Sequence, residues 1–194
     1  MAAVRMQFPA TEEAIRDLRA GDEVTVDGHI IGIRDRTQIR IFDQGIEPPM
    51  DLSGAFLLHT APGVRKLGPG KYEKVCIGTT TSARMVRFTE GLGSQYGVRA
   101  ICGKGGLPDE AIEPMHRLGM VYFAIVGGAA ALETTQIEEI EEVAWEELMP
   151  ECLWRFRVKD FGPLTVGIDA HGNSLYHDVQ ARAHDKLKEL YARL

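Results

Sequence analysis

The middle of the chain alternates short apolar stretches with helical patterns, and this alternation limits the possible folds more than any other feature of the sequence. The apolar stretches occupy residues 55–60, 74–77, 98–102 and 120–126. Helices are predicted to begin near Thr80 and Pro108, where residues typical of helix N-termini occur. Short apolar strands that alternate with helices indicate a sheet covered on at least one face. The sequence therefore predicts an α/β protein.

Length and charge limit the class of protein further. The chain has 194 residues, 44% of them hydrophobic, which is enough to bury the core of a single domain. It carries 22 lysines and arginines against 28 aspartates and glutamates, a net charge of −6 at pH 7. Because a nucleic-acid-binding domain is expected to be basic, we predict no nucleic-acid partner.

Two further observations concern the compartment. The sequence contains no run of about 18 apolar residues and no signal-peptide pattern near residue 1, so no membrane partner is predicted. Cys76, Cys102 and Cys152 lie far apart and form no Cys-x-x-Cys motif. They are interpreted as cytosolic thiols, and the chain is expected to be soluble and cytoplasmic.

Local signals predict the elements before the central part. An N-terminal helix capped by Thr11 should lie in an extension of residues 1–20. Residues 23–33 alternate around Asp27-Gly28, which predicts a β-hairpin with a two-residue turn. A second helix should follow Arg34 and end near residue 45.

The elements around and after the central part are less uniform. Residues 63–70 include four glycines or prolines and are predicted to form a loop, and 136–148 hold six glutamates in either an amphipathic helix or an edge strand. Strands are predicted over 155–158 and 164–168, and a turn over 169–173. Residues 175–194 should form an amphipathic helix that extends a single domain spanning the whole chain, 1–194.

The most informative polar stretch follows the second apolar run. Residues 78–85 place four consecutive hydroxyl groups and Arg84 at a predicted helix start, and Gly103-Lys104-Gly105-Gly106 follows a later strand. Helix N-termini attract anions, so the pattern is typical of a carboxylate or phosphate site. The alternative is an ordinary Thr/Ser N-cap beside an exposed arginine.

Several other sites are excluded by spacing. Lys104 is followed by glycine instead of serine or threonine, so the glycine-rich stretch is not a P-loop. The sequence also has no dinucleotide-binding G-x-G-x-x-G after a strand, no G-x-S-x-G and no H-E-x-x-H. Gly127-Gly128 after a strand favours close packing, with an anion-binding turn as the alternative. His59, at a strand end, is retained as a second-tier site candidate.

Six motifs occur in an order that resembles class I fumarases. They are Gly-Asp-x-Val at 21–24 leading through Gly28 and Ile31 to Arg-Asp at 34–35, Gly-x-Thr-Thr-Ser-x-Arg-Met at 78–85, Gly-Lys-Gly-Gly at 103–106, Gly-Gly-Ala-Ala at 127–130, Val-Lys-Asp-Phe at 158–161 and Asp-x-x-Gly-Asn at 169–173. The chain resembles the C-terminal domain, or separate β subunit, of these iron–sulfur hydro-lyases, a group that includes tartrate dehydratase.

The resemblance implies a swivelling β/β/α domain with a mixed or small barrel-like sheet covered by helices. It also implies an α subunit that carries a four-iron four-sulfur cluster, with no metal on this chain. The carried-over substrate-binding residues are Arg34, Arg84 and Lys104, the catalytic hydroxyls are Thr80, Thr81 and Ser82, and the second-tier residues are Asp35, Gln38, His59, Gly103 and Gly105.

The implied function is that of the β subunit of a hydro-lyase that reversibly adds or removes water on a small 2-hydroxy dicarboxylate, such as malate/fumarate or tartrate. Such a subunit is expected to be inactive alone and could form a homodimer without its partner. The alternative is a non-catalytic dicarboxylate-binding or interaction domain of the same fold. Gln38, Ala61, Thr79 and Val86 depart from the family pattern and leave the identity of the diacid open.

Overall fold

The computed structural model describes residues 4–191, without the side chains of 129–131. Residues 1–3 and 192–194, which belong to the two predicted extensions, lie outside the described residues. The strands are β1 (Val4–Phe8), β2 (Glu23–Ile33), β3 (Phe56–His59), β4 (Gly63–Gly68), β5 (Lys71–Cys76), β6 (Ala100–Gly103), β7 (Val121–Ala124), β8 (Ile137–Ala144) and β9 (Leu153–Ile168). The α-helices are α1 (Glu12–Arg16), α2 (Asp35–Phe42), α3 (Thr89–Tyr96), α4 (Ile112–Leu118), α5 (Ala130–Gln136) and α6 (Leu175–Tyr191).

Five strands close into a small barrel. Their order is β2-β3-β6-β7-β9, and β9 pairs back with β2. The first four strands are parallel, and β9 runs antiparallel to both of its barrel neighbours. Strand β1 pairs with the first half of β2, and β8 pairs with the first half of β9. The predicted α/β fold with a barrel-like sheet is confirmed.

The barrel strands are buried on both faces. Phe56 and Phe123 belong to one core, in which their rings stack at a centroid distance of 5.6 Å. Leu57, Ile101 and Tyr122 point the other way, into a second core shared with the helices. Burial on both faces explains why these strands appear in the sequence as continuous apolar runs without polar alternation.

The predicted hairpin over residues 23–33 is wrong, because these residues form one continuous strand, β2. Gly28 has a φ of 102°, and a Cβ atom there would lie 2.2 Å from the carbonyl oxygen of Phe8. The glycine therefore allows β1 to approach closely, a known use of glycine inside strands. Asp27 accepts hydrogen bonds from the side chain of Arg5 and from the N–H of Asp160, at 2.8 Å for the latter. These long-range contacts hold the Asp-Gly pair in an extended strand.

The structure also tests the predictions for residues 63–70, 136–148 and 155–168. Residues 63–70, predicted as a loop, contain β4, which pairs with β5 in a separate two-stranded sheet. The acidic segment 136–148 contains the edge strand β8, one of its two predicted alternatives. The strands predicted at 155–158 and 164–168 are parts of one strand, β9, in which Asp160 has a φ of 52° and Gly162 a φ of 140°.

The helix predictions are confirmed for α1, α2 and α6, but their surroundings differ. Strand β1 precedes α1 and was not expected in the N-terminal extension. The helix expected to begin near Thr80 instead begins as a 3-10 helix at Ala83 and continues into α3. No described residue of α6 is buried. None of the helices within residues 4–191 is long and apolar enough to cross a membrane.

Candidate active site

The predicted site residues meet at one edge of the barrel because its parallel strands end there. Arg34 follows β2, His59 ends β3, and Lys104 follows β6. Carboxyl ends of parallel strands commonly form ligand sites in α/β proteins. The Thr37 hydroxyl accepts the N–H of Arg34 at 2.9 Å and donates to its carbonyl oxygen at 2.7 Å, so the backbone that carries this arginine is held at the start of α2.

The hydroxyl-rich segment is extended where a helix was expected. The N–H of Thr80 donates to the carbonyl oxygen of His59 at 2.8 Å, and its own carbonyl oxygen accepts the N–H of Lys104 at 3.2 Å. Ser82 then donates its N–H to the carbonyl oxygen of Lys104 at 3.0 Å. The segment is therefore inserted between the ends of β3 and β6. The helix begins at Ala83 with Ser82 as its N-cap, and the backbone N–H groups of Thr80 and Ser82 already have partners. The anion site expected at this helix start stays a prediction.

Gly103 is required for this insertion. A Cβ atom at that position would lie 2.0 Å from the Oγ of Ser82 and 3.2 Å from the carbonyl oxygen of Thr80. Any larger residue would push the hydroxyl segment away from β6. Gly105 has a φ of 77°, a left-handed conformation that favours glycine and turns the chain after Lys104.

Arg84 is held in place by Asp35. Its Nε and one terminal nitrogen donate to the two carboxylate oxygens of Asp35 at 2.8 and 2.7 Å. Partial burial would raise the pKa of Asp35, but the hydrogen bonds and charge of Arg84 outweigh burial and keep that pKa below its usual value. Arg34 contacts the same carboxylate at 3.3 Å and Glu151 at 3.7 Å. Two arginines are thus anchored around one carboxylate.

The remaining donors of Arg84 reach the hydroxyl segment. One terminal nitrogen donates to the carbonyl oxygen of Thr81 at 2.9 Å, and the other donates to the Oγ1 of Thr80 at 3.3 Å. Of the five N–H groups of a guanidinium, four are engaged by described residues. Thr80 is half-buried and Thr81 is exposed, and Thr80 is the residue whose hydroxyl contacts the guanidinium group of Arg84.

A buried polar chain lies beneath this segment. The Tyr122 hydroxyl donates to the Oγ of Ser82 at 3.1 Å, and that Oγ lies 2.9 Å from the Nδ1 of His59. The Ser82 hydroxyl thus joins the phenol of Tyr122 to the imidazole of His59. Burial lowers the pKa of His59 to about 3; Asp35 opposes this change and Arg84 adds to it. Ser82 therefore lies below the surface as a support, and its predicted catalytic role stays a prediction.

Lys104 is exposed, and its ammonium group has no hydrogen bond or ion pair with the residues that the structure describes. Its aliphatic part lies over Gly127, where a Cβ atom would be 2.6 Å from the Cδ of the lysine. The ammonium group is thus available to an anionic ligand. This contact agrees, at Gly127, with the close packing predicted for the Gly127-Gly128 pair.

The structure places Gln38 away from the ligand-facing surface. It is fully buried on α2 and donates to the sulfur of Met85 at 3.0 Å. Sequence reasoning missed three residues near the site, namely Tyr122, Glu133 and Glu151. Tyr122 lies within an apolar run, and a phenol in such a run is the only signal that could have identified it.

The three cysteines lie at separate places in the described residues. Cys102 and Cys152 are buried at separate places and Cys76 is exposed. Within the described residues, no group of three histidine, cysteine or acidic side chains could hold a metal ion. The cluster expected on a partner subunit stays a prediction.

Comparison with known families identifies the fold that carries this site. Residues 1–179 match the family model described as "Fumarase C-terminus". The chain belongs to the fumarase C-terminal family. The matched region includes the whole stretch from residue 21 to residue 173 in which the motifs occur.

Individual relatives differ in how much of their length this family domain occupies. The chain is 42% identical over 168 residues to the L(+)-tartrate dehydratase subunit beta of Escherichia coli (strain K12), covering 86% of this chain and 83% of that protein. It is 36% identical over 185 residues to a Methanocaldococcus jannaschii protein provisionally named as the same subunit, covering 93% and 94% of the two chains. A Geobacillus stearothermophilus protein, provisionally named a class I fumarate hydratase, is 36% identical over 187 residues, which cover 96% of this chain and 36% of that protein.

Proposed function

We propose that this fumarase C-terminal chain is the β subunit of a hydro-lyase that adds or removes water on a small 2-hydroxy dicarboxylate. Family membership and the similarity to tartrate dehydratase β subunits support the hydro-lyase class and a partner subunit. The observation that carries the substrate class is the presence of three cations at one edge of the barrel: Arg84 donates to the Thr80 hydroxyl, Arg34 shares Asp35 with Arg84, and Lys104 pairs through its backbone with the hydroxyl segment. Guanidinium and ammonium groups are the side chains that bind carboxylates.

The role of Thr80 follows from its contact with Arg84. A threonine hydroxyl is a weak base and a weak acid, so it needs an activating neighbour to exchange a proton. The guanidinium N–H that donates to Oγ1 at 3.3 Å would stabilise the oxygen when its proton leaves. Asp35 fixes this guanidinium by two hydrogen bonds, so the stabilising group is already in position before the substrate arrives. We assign to Thr80 the transfer of the proton on the carbon next to a substrate carboxylate.

Lys104 and Arg34 have a different role in this scheme. Charge accumulates on the carboxylate when the adjacent C–H bond breaks, and cations near it stabilise that charge. Lys104 is the unpaired cation of the site within the described residues, so it binds a carboxylate without first losing another partner. Arg34 shares Asp35 and Glu151 and is suited to orient a second carboxylate.

The partner is proposed to be a cluster-binding α subunit. In the Geobacillus relative the matched region is 36% of a longer chain, whereas it is most of the tartrate dehydratase β subunit of Escherichia coli. This difference supports a protein divided into two polypeptides. An iron–sulfur cluster on the other polypeptide would supply a Lewis acid for the departing hydroxyl group.

The test is anaerobic co-expression of the chain with a cluster-binding α subunit, followed by dehydration assays over malate, the tartrates and other 2-hydroxy diacids. Thr80→Val should lower kcat by about 100-fold or more, the usual contribution of a proton-transferring group. Lys104→Ala should mainly raise KM. Arg87→Ala is the matched control, because Arg87 lies on the same 3-10 helix as Arg84 but pairs with Asp43.

The outcome also separates the alternative. A complex that binds diacids but converts none of them would favour a non-catalytic dicarboxylate-binding domain. An active complex whose rate is unchanged by Thr80→Val would overturn the assignment of the hydroxyl.

A further inference from the structure

Glu133 is a buried carboxylate that the proposed mechanism does not use. It lies on α5 and is only 3% exposed. Neither of its carboxylate oxygens has a hydrogen-bond partner in the part of the chain that the structure describes. An ionised carboxylate without a partner is strongly unfavourable in such a place, so it must either carry a proton or interact with a nearby cation.

Helix α5 is attached to the back of the active site at two points. The N–H of Ile77, directly before the hydroxyl segment, donates to the Oγ1 of Thr134 at 2.7 Å. The segment that leads into α5 contacts Lys104, since a Cβ atom at Gly127 would lie 2.6 Å from its Cδ and 3.3 Å from its Nζ. The segment that carries Glu133 is therefore joined to the hydroxyl segment through Thr134 and lies against the Lys104 side chain at Gly127.

The charges around Glu133 identify Lys104 as its cation. Burial raises the pKa of Glu133 to about 7, and the charge of Lys104 opposes that rise. Burial also raises the pKa of the Cys102 thiol, and the charge of Glu133 raises it further. Cys102 and Lys104 are two residues apart at the end of β6, so both effects locate the carboxylate beside that strand end.

Most other charged groups on the elements that pack against α5 are engaged elsewhere. On β5, Lys74 donates to the backbone carbonyl oxygens of Thr134 and Ile137, and Glu73 pairs with Arg65. On β8 and β9 the ion pairs are Glu138–Arg157, Glu139–Arg157, Glu141–Arg157, Glu142–Arg155, Lys159–Asp27 and Asp160–Arg5. The side chain of Lys71 on β5, like that of Lys104, has no hydrogen bond or ion pair with the described residues, but only the charge of Lys104 acts on the pKa of Glu133.

We infer that Glu133 is the proton-exchanging counter-group of Lys104: it faces the free lysine as a carboxylate and takes up a proton from solvent when a dicarboxylate binds the ammonium group. A bound carboxylate cancels the field of the lysine at Glu133 and adds negative charge nearby, so the protonated form becomes favoured. Substrate affinity would then increase as the pH falls through neutrality. This inference rests on the proposed function, since it requires a dianionic ligand at Lys104.

The consequence is measurable as proton uptake on binding. If ligand binding raises the pKa of Glu133 by about one unit, roughly half a proton is taken up at pH 7.5, and affinity weakens up to about tenfold from pH 6 to pH 9. Glu133→Gln keeps the size and shape of the side chain but removes its titration. That variant should show no uptake and a flat pH dependence of affinity.

The experiment is isothermal titration calorimetry of the assembled enzyme with succinate, a dicarboxylate with no hydroxyl group to eliminate, in phosphate, HEPES and Tris buffers at pH 7.5. The slope of the observed enthalpy against buffer ionisation enthalpy gives the number of protons taken up. The wild-type protein should give about 0.5, Glu133→Gln about zero, and Glu133→Asp, which restores a carboxyl group, an intermediate positive value. Glu110→Gln, at an exposed position on the surface, should behave like wild type.

Two results would contradict the inference in different ways. Succinate binding with the same proton uptake in wild type and Glu133→Gln would overturn the role of Glu133 and leave the proposed function intact. No binding of succinate or of any 2-hydroxy diacid by the folded wild-type complex would overturn the proposed function, and the inference with it. Circular dichroism of each variant establishes that it is folded before the titration.

Discussion

Buried His59 at the active-site edge should make the protein less stable as the pH falls. Replacement of His59 by asparagine should remove most of this pH dependence of the free energy of unfolding. His59 is 1% exposed, and its Nδ1 lies 2.9 Å from the Oγ of Ser82 while its Nε2 has no partner among the described residues. Burial lowers the pKa of His59 from 6.5 to about 3, with Asp35 opposing this effect and Arg84 adding to it. The folded state therefore keeps the imidazole neutral at a pH where the unfolded chain protonates it.

The sign and size of the effect follow from that difference. Below pH 6.5 the unfolded chain binds a proton that the folded chain does not, so stability falls as the pH falls towards 3. Each pH unit in this window corresponds to about 1.4 kcal/mol, which amounts to about 2 kcal/mol between pH 6.5 and pH 5. Asparagine can accept the Ser82 proton through Oδ1 but does not titrate. His59→Asn should be less stable than wild type at pH 7.5 by about 2 kcal/mol because of the lost ring volume.

The assay is urea denaturation at pH 7.5, 6 and 5 at constant ionic strength, with the free energy of unfolding compared between variants at each pH. The free energy of unfolding should be larger for wild type than for His59→Asn at pH 7.5, and this difference should shrink by about 2 kcal/mol as the pH falls to 5. His184→Asn is the control, because His184 is exposed on α6 and its replacement should leave a constant difference. Parallel pH curves for wild type and His59→Asn would refute the argument that this histidine is held neutral by burial.

Three more substitutions test other contacts. Asp35→Asn should lower the kcat of the assembled enzyme at least tenfold, because it releases Arg84. In urea denaturation the free energy of unfolding should fall by less than about 1 kcal/mol, since the Asp35–Arg84 pair is partly exposed. An unchanged kcat would contradict this prediction. Gly28→Ala should cost about 3 kcal/mol or more in the same denaturation assay, because its φ is 102° and β1 lies against it, whereas Gly45→Ala, with open space around it, should cost only about 1 kcal/mol. Gly127→Ala should raise KM for the diacid severalfold by displacing the site lysine, with the melting temperature nearly unchanged; a normal KM would contradict the packing.

Local sequence signals were sufficient for much of the framework. The apolar runs at 55–60, 98–102 and 120–126 correspond to β3, β6 and β7, because strands buried on both faces need apolar residues throughout. The Asp169 turn is also as predicted, since the aspartate accepts the N–H groups of His171 and Asn173 within the turn at 2.9 and 3.0 Å. Such elements depend on contacts between residues close in the sequence.

Elements that depend on distant partners were predicted poorly. The Asp27-Gly28 pair has the local preference of a hairpin turn, but Arg5 and Asp160 bind the aspartate and β9 pairs with the strand on both sides of the pair. Strand β4 has an exposed, polar sequence and exists only because β5 pairs with it. Sequence patterns do not reveal such pairings, because the partners lie outside any local window.

For this protein, the sequence by itself determined the family, the α/β class and the residue types of the site, because motif order and hydrophobic periodicity are properties of the linear chain. Only the tertiary structure decided what those residues can do. Asp35 engages Arg84 from 49 residues away, His59 is buried and neutral beside Ser82, and Glu133 is buried where the charge of Lys104 acts on it. Donor availability and pKa depend on burial and on neighbours distant in sequence, and both are set when the barrel closes.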